Sequence, residues 1–265
     1  MTKYRVRTKL GRGSFGTVVL AEDTLTDTAV AIKLLHKDPD LHEDVRHEEN
    51  VYRTLLAGCD PRIELFAEAI TSGTHRGFHC IVFELCGATL YDMVHGCMGL
   101  LPFPARHILE IAYQLVKAVD CLPWGSGVDT FAVGLMIAEI FLGSQLFSSD
   151  ISSDREHLAA LDRVLGPFPR GFAHTVDARF PGTFSLDDDI VKVHYPPLDT
   201  VVTRDSYGDS MRRLERMRPL SADMHDPELV DLINRLTSLD PAKRIALNVA
   251  GKHTYFDAVG RGGWQ

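Results

Sequence analysis

The 265-residue chain has few cysteines and no long apolar runs. Its five cysteines, Cys59, Cys80, Cys86, Cys97 and Cys121, are odd in number and none forms a CxxC pair. That argues against a zinc site and for thiols in a reducing compartment. The most apolar stretch, Phe131 to Leu142, includes Glu139 and is too short to span a bilayer. The first residues, Met-Thr-Lys-Tyr-Arg-Val-Arg, carry no apolar signal core. An intracellular, soluble protein is therefore the expectation. Positive charge is also scarce, with 28 Lys and Arg against 36 Asp and Glu, net −8. Nothing in that balance points to direct nucleic-acid binding or to a membrane surface. The one basic stretch, Met211 to Arg218, reads as a solvated helix face. No internal repeat or low-complexity tail stands out. What is present is an ordinary globular composition, 45% hydrophobic and 24% charged, in a chain long enough for a sizeable core.

Periodicity divides the chain near Gly87. Before it, residues 4–10, 17–21, 29–35 and 79–85 read as strands, and residues 41–57 as a helix with acids toward its start. After it the chain reads helical. Residues 104–122 are amphipathic, residues 131–142 are apolar nearly all round, and residues 155–165 repeat Leu158, Leu161, Val164 and Leu165 at helical spacing. Residues 166–210 are rich in Gly, Pro and Asp and read as loop. Asp226-Pro227 and Asp240-Pro241 each pair an N-cap with a proline at the first helical position, and open the last two helices. The expected organisation is α+β, with a β-rich unit over residues 1–86 and a helical unit over residues 87–265.

The chemistry sits in the first unit. Gly11-Arg12-Gly13-Ser14-Phe15-Gly16 is a GxGxxG pattern, weak evidence when alone. In a dinucleotide-binding turn the glycines open a helix. Here β-branched Thr17-Val18-Val19 follows, a strand signature, and the Lys-Ser/Thr of a Walker loop is absent. A strand–glycine turn–strand hairpin lets backbone amides close over phosphates with no Cβ in the way. Val30-Ala31-Ile32-Lys33 then ends a buried-type strand, and Glu48 and Glu49 lie on the helix after it. Alone, Lys33 would read as a solvated strand end. With the glycine turn and the acidic helix it reads as a phosphate contact.

These residues resemble the small lobe of eukaryotic protein kinases. Cys80-Ile81-Val82-Phe83-Glu84-Leu85-Cys86-Gly87 and Leu101-Pro102-Phe103-Pro104 resemble the LAMMER (Cdc-like) kinases in particular. So does Glu156-His157-Leu158-Ala159-Ala160-Leu161-Asp162-Arg163-Val164-Leu165-Gly166, a degenerate form of the family's Glu-His-Leu-Ala-Met-Met-Glu-Arg-Ile-Leu-Gly. Asp240-Pro241-Ala242-Lys243-Arg244-Ile245 matches the end of the large lobe. The resemblance implies a bilobal kinase-like fold with ATP held by Leu10, Gly11, Arg12, Gly13, Ser14, Phe15, Gly16, Thr17 and Val18. Ala31 and Val18 would sandwich the adenine, and Phe83 would back it. Glu84, Leu85 and Cys86 would supply backbone hydrogen bonds, and Glu48 would pair with Lys33. Without the glycine turn, Val18, Ala31 and Phe83 would read as plain core. The family phosphorylates Ser, Thr and sometimes Tyr, often on Arg/Ser-rich splicing proteins in the nucleus.

The chain also departs from the family. It contains no His-Arg-Asp, Asp-Phe-Gly or Ala-Pro-Glu anywhere. Many dozens of family residues are expected between Leu122 and Trp124, where both flanks still match. No catalytic residue or metal ligand is therefore assigned, and Mg²⁺ binding is in doubt. Asp129 and Arg244 are expected to have lost their family partners, leaving cap or surface roles. Loss of the block is expected to uncover Phe131, Leu135, Ile137, Ile140 and Phe141, which would favour self-association or chaperone binding. The alternatives are a non-enzymatic pseudokinase interaction module and an unstable splice or gene-model product.

Overall fold

Alternating apolar residues build the first part of the chain into a five-stranded antiparallel sheet, seen in a computed structural model. It describes residues 3–35, 50, 61–95, 103–122, 127–148, 150–151, 153–186, 190–196 and 204–261. The strands are β1 (Tyr4–Arg12), β2 (Gly16–Asp23), β3 (Ala29–Leu35), β4 (Ala69–His75) and β5 (Phe78–Glu84), in the order β1-β2-β3-β5-β4. The chain separates into two compact units, Met1–Thr89 and Leu90–Gln265.

In the first unit, Val19, Ala21, Val30, Ile32 and Val82 form a buried cluster. Cross-strand partners share a face, so the pairing of Val19 and Val82 with Ile32 puts this cluster on one side of the sheet. Strand β4 is not evident from periodicity, because Ala69-Ile70-Thr71-Ser72-Gly73-Thr74-His75 is a mostly exposed, polar edge strand. Its hairpin to β5 turns at Arg76 and Gly77, both at positive φ (50° and 79°), the twist that a two-residue hairpin prefers. The helix expected over residues 41–57 lies outside the described residues, apart from helical Asn50.

The second unit is helical: α1 (Leu90–His95), α2 (Ala105–Asp120), α3 (Gly127–Leu142), α4 (Asp154–Leu165), α5 (Arg170–Arg179), α6 (Arg204–Arg216), α7 (Pro227–Leu236) and α8 (Leu247–Ala250). Its main core joins Ala112 and Val116 of α2, Val133, Ile137 and Ala138 of α3, and Leu229, Leu232, Ile233 and Leu236 of α7. Tyr113 meets Phe256 edge-on at 5.3 Å in the same core. Helix α3 lies so close to the end of α7 that a Cβ on Gly134 would come within 2.6 Å of the Thr237 side chain.

Three expectations are corrected here. Residues 166–210 are not simply loop, since they hold α5, the short hairpin β6 (Phe184–Ser185) and β7 (Lys192–Val193), and the start of α6. Asp226 does cap α7, accepting from the Glu228 and Leu229 amides, but Asp240 caps only a single turn, Pro241–Lys243. Arg244 then turns extended, and the Ile245 amide returns to the Arg235 carbonyl. The basic stretch is not wholly solvated either. Arg213 donates through Nε and Nη2, at 3.0 and 2.7 Å, to one carboxylate oxygen of Glu156, whose side chain is 1% exposed. That pair ties α6 to α4.

Candidate functional site

The glycine turn joins β1 to β2. Gly11 pairs with Val18 and Arg12 with Thr17, and the Gly13 amide closes the turn on the Gly16 carbonyl at 2.9 Å. Ser14 and Phe15 form the exposed tip. Leu10 is the extra residue of a β-bulge between Lys9 and Gly11, and is exposed. The three glycines differ in why they are needed. A Cβ on Gly16 would sit 2.3 Å from the Leu34 carbonyl oxygen, so packing alone demands glycine there. Cβ atoms on Gly11 and Gly13 would meet nothing within 4 Å, and neither residue has positive φ. Among the described residues nothing requires glycine at those two positions. The open space beside their backbone is what a phosphate group needs if amides are to reach it.

Register places the remaining predicted side chains. Val18 lies opposite Lys33, Lys33 opposite Ile81, and Ala31 opposite both Leu20 and Phe83. Val18, Ala31, Lys33 and Phe83 therefore share the sheet face opposite the buried cluster, and each is half-buried. This argues against reading Val18, Ala31 and Phe83 as plain core. Glu84, the last residue of β5, and Leu85 and Cys86 after it are exposed. The Glu84 amide already donates to the Glu68 carbonyl at 3.0 Å, and a Glu84 carboxylate oxygen accepts from the Glu68 amide at 2.9 Å. The Glu84 N–H is thus committed within the sheet, contrary to the expectation that it donates to adenine. Glu48 lies outside the described residues. Among the described residues, no three His, Cys, Asp or Glu side chains are grouped to hold a metal ion, and no helix is long and apolar enough to cross a membrane.

In the helical unit, Arg244 is not without a role. Its Nη1 donates to the Gly127 carbonyl at 2.5 Å, its Nε to the Ser238 carbonyl at 3.0 Å, and its guanidinium lies 5.0 Å from the Phe131 ring centroid. Partial burial lowers its pKa from the usual arginine value. Asp129 sits in the first turn of α3, where a helix N-terminus favours a carboxylate. The expected uncovering of α3 is also corrected in detail. Ile137 and Ile140 are buried, and Phe131, Leu135 and Phe141 are half-buried. The exposed stripe is instead Val128 (74% exposed), Ala132 and Met136 (40%), spaced four apart. Hydropathy alone could not show which face of so uniformly apolar a helix is covered.

No protein-family model matches the chain. The fold is that of a protein kinase domain. The crystal structure of the PF14_0431 kinase domain superposes with a TM-score of 0.79 at 15% identity, over 96% of this chain and 95% of that one. The relatives are more specific. The chain is 26% identical to the dual specificity protein kinase CLK4 of Mus musculus, over 98% of this chain and 67% of that one. It is 25% identical to CLK1 of Homo sapiens (97% and 66%) and 24% identical to lkh1 of Schizosaccharomyces pombe (96% and 47%). The chain is a protein-kinase-like protein homologous to the LAMMER-type, Cdc-like dual-specificity kinases. It spans about two thirds of the length of the CLK relatives. The CLK4 alignment runs over 340 positions yet draws on 98% of only 265 residues, so roughly 80 of its positions have no counterpart here.

Proposed function

We propose that this chain binds ATP through its small unit and transfers little or no phosphate. The observation that carries the nucleotide reading is the pair of glycines, Gly11 and Gly13, that neither packing nor backbone angle requires. They border a sheet face bearing Val18, Ala31, Lys33 and Phe83. On this reading the turn's amides close over the phosphates, Lys33 contacts them, and Val18, Ala31 and Phe83 enclose the base. The second half of the proposal rests on the missing sequence motifs. Phosphoryl transfer is mostly positioning and neutralisation of charge by metal-held groups, aided by a base at the accepting hydroxyl. Losing one such electrostatic contact costs about 100- to 1000-fold, and the absent motifs would supply several. The family's Arg/Ser-rich splicing proteins and its nuclear location belong to this proposal as the setting of the parent activity.

Calorimetric titration with ATP, with and without Mg²⁺, tests the first half. Weak binding with little Mg²⁺ dependence is expected, and a folded sample that binds no ATP would overturn it. Radiolabelled ATP with an Arg/Ser-rich peptide tests the second half. Only background transfer is expected, and turnover that Lys33→Met abolishes would refute it. A second reading, a non-enzymatic interaction module, is favoured by the uncovered Val128–Ala132–Met136 stripe.

A further inference from the structure

A second site lies in the helical unit. A cleft of about 670 Å³ opens between the end of α4 and the end of α7. Pro167, Pro169 and Pro219 stiffen its walls, and Asp162, Arg163, Asn234, Asp240 and Lys243 line it. Beneath it Asp162 is poorly satisfied. Its Oδ1 is shielded from water, and among the described residues no group donates a hydrogen bond to it. Burial pushes the Asp162 carboxyl above the usual range, against the opposing pull of the Phe168 amide and the charges of Arg163 and Lys192. Neither cation comes within ion-pair distance of it. Asp240 is otherwise engaged, capping its turn and holding Lys243 at 3.8 Å. The Thr237 and Ser238 hydroxyls donate to backbone carbonyls.

A carboxylate with one shielded oxygen that receives no donor is costly, and native structures keep few such groups without a reason. A carboxylate oxygen without a donor beside a cleft of ligand size is the geometric ground for a binding site there. We propose that this cleft binds an organic cation, a guanidinium or ammonium on an alkyl stem, with Asp162 as its counter-ion. The Asp carboxylate turns about its last torsion over a broad, two-fold profile, so a forked donor can be met by both oxygens. Charge-assisted bonds of this kind are the strong ones.

The test uses the full chain and three probes: agmatine, the acetylated peptide Gly-Gly-Arg-Gly-Gly, and the same peptide with citrulline for arginine. Binding is read from nuclear magnetic resonance shifts. Saturable binding of an arginine-type probe, at least tenfold tighter than citrulline, is expected. Tighter binding of agmatine assigns the site to free small cations, and tighter binding of the peptide assigns it to a protein side chain. Asp162→Asn should abolish the binding, leave ATP affinity unchanged, and leave the melting temperature of the free protein equal or higher. Equal binding of the citrulline peptide, or no saturable binding by any probe, would overturn the proposal. A lower melting temperature for Asp162→Asn would do the same, because it would show that the carboxylate holds the fold. Asp162→Glu, which keeps the charge, should retain binding.

Discussion

The glycine turn separates packing from the proposed phosphate contact, and three substitutions exploit it. Gly16→Ala places a methyl 2.3 Å from the Leu34 carbonyl oxygen and 3.2 Å from the Leu35 Cα, both on β3. No flexible side chain can yield there, so the β2–β3 pairing must shift. Overpacking of this kind costs about 1–3 kcal/mol, and a backbone obstacle belongs at the upper end. In a unit of 60–100 residues each kcal/mol moves the melting temperature by about 4–8 °C. Gly16→Ala should therefore lower the small unit's melting by at least ~8 °C. Gly11→Ala and Gly13→Ala meet nothing within 4 Å and need no positive φ. They should leave melting unchanged or raise stability by about 0.4–1 kcal/mol through the unfolded chain. If phosphates approach the turn's amides, the same two methyls should weaken ATP binding by about tenfold or more, ~1.4 kcal/mol. Calorimetric melting and ATP titration of the four proteins decide the matter. Undiminished ATP affinity in Gly13→Ala would refute the phosphate role of the turn, and a harmless Gly16→Ala would refute the packing argument.

Three further outcomes are expected. Lys33→Met should weaken ATP binding while the melting temperature stays within a few degrees; a large drop without ligand would make Lys33 structural. Arg213→Met should destabilise the helical unit by about 3 kcal/mol, because it removes the guanidinium from the buried Glu156 carboxylate, and a second change, Glu156→Leu, should recover most of the loss. Equal melting of the single and double variants would remove that pair from the fold's support. Asp177 accepts from the Phe184 and Thr183 amides, which hold its carboxyl below the usual value. Its contribution is thus present above the unfolded pKa of about 3.9 and is lost as pH falls through the lower folded value. Asp177→Asn should melt below the parent at pH 7, and the gap should close below about pH 4; a gap that persists in acid would exclude the carboxylate as its cause.

Local signals were readable where one physical cause dominated. Strand β3 is apolar because both its faces are at least partly covered, and α7 is marked by a cap and a proline at its start. That Ala31 and Lys33 share a face follows from two-residue alternation, and only the register shows that Val18 and Phe83 join them. Other elements carried conflicting signals. Helix α5 begins directly after Pro169 and contains Gly171, so its composition reads as loop, although Phe168, Ala173 and Phe184 bury it in a small core. Asp240-Pro241 has the same cap chemistry as Asp226-Pro227, but the pull of Ile245 back to the Arg235 carbonyl stops its helix after one turn. No local rule contains that long-range bond. The Arg213–Glu156 pair spans 57 residues of sequence and is invisible to periodicity for the same reason.

Arg244 shows why the absence of the His-Arg-Asp, Asp-Phe-Gly and Ala-Pro-Glu motifs need not unpack the large unit. Its guanidinium holds the carbonyls at the start of α3 and after α7, and it lies over Phe131. Gly134 meanwhile brings α3 against Leu236 and Thr237 too closely for any side chain to intervene. The α3–α7 contact is therefore internal to the described helices and independent of what lies on the other side of α3. The uncovered stripe holds two large side chains, Val128 and Met136, and Met136 is only partly exposed. At ~1.5–3 kcal/mol for complete burial of each, the stripe forfeits at most about 3–6 kcal/mol. Exposure of the five residues first expected would have forfeited two to three times as much. Against a native margin of about 5–15 kcal/mol, the smaller cost leaves a helical unit that can persist while still gaining from a partner on that face. The α3–α7 contact and the proposed nucleotide face draw on different residues, so the proposed binding of ATP does not depend on the chemistry the chain is proposed to lack.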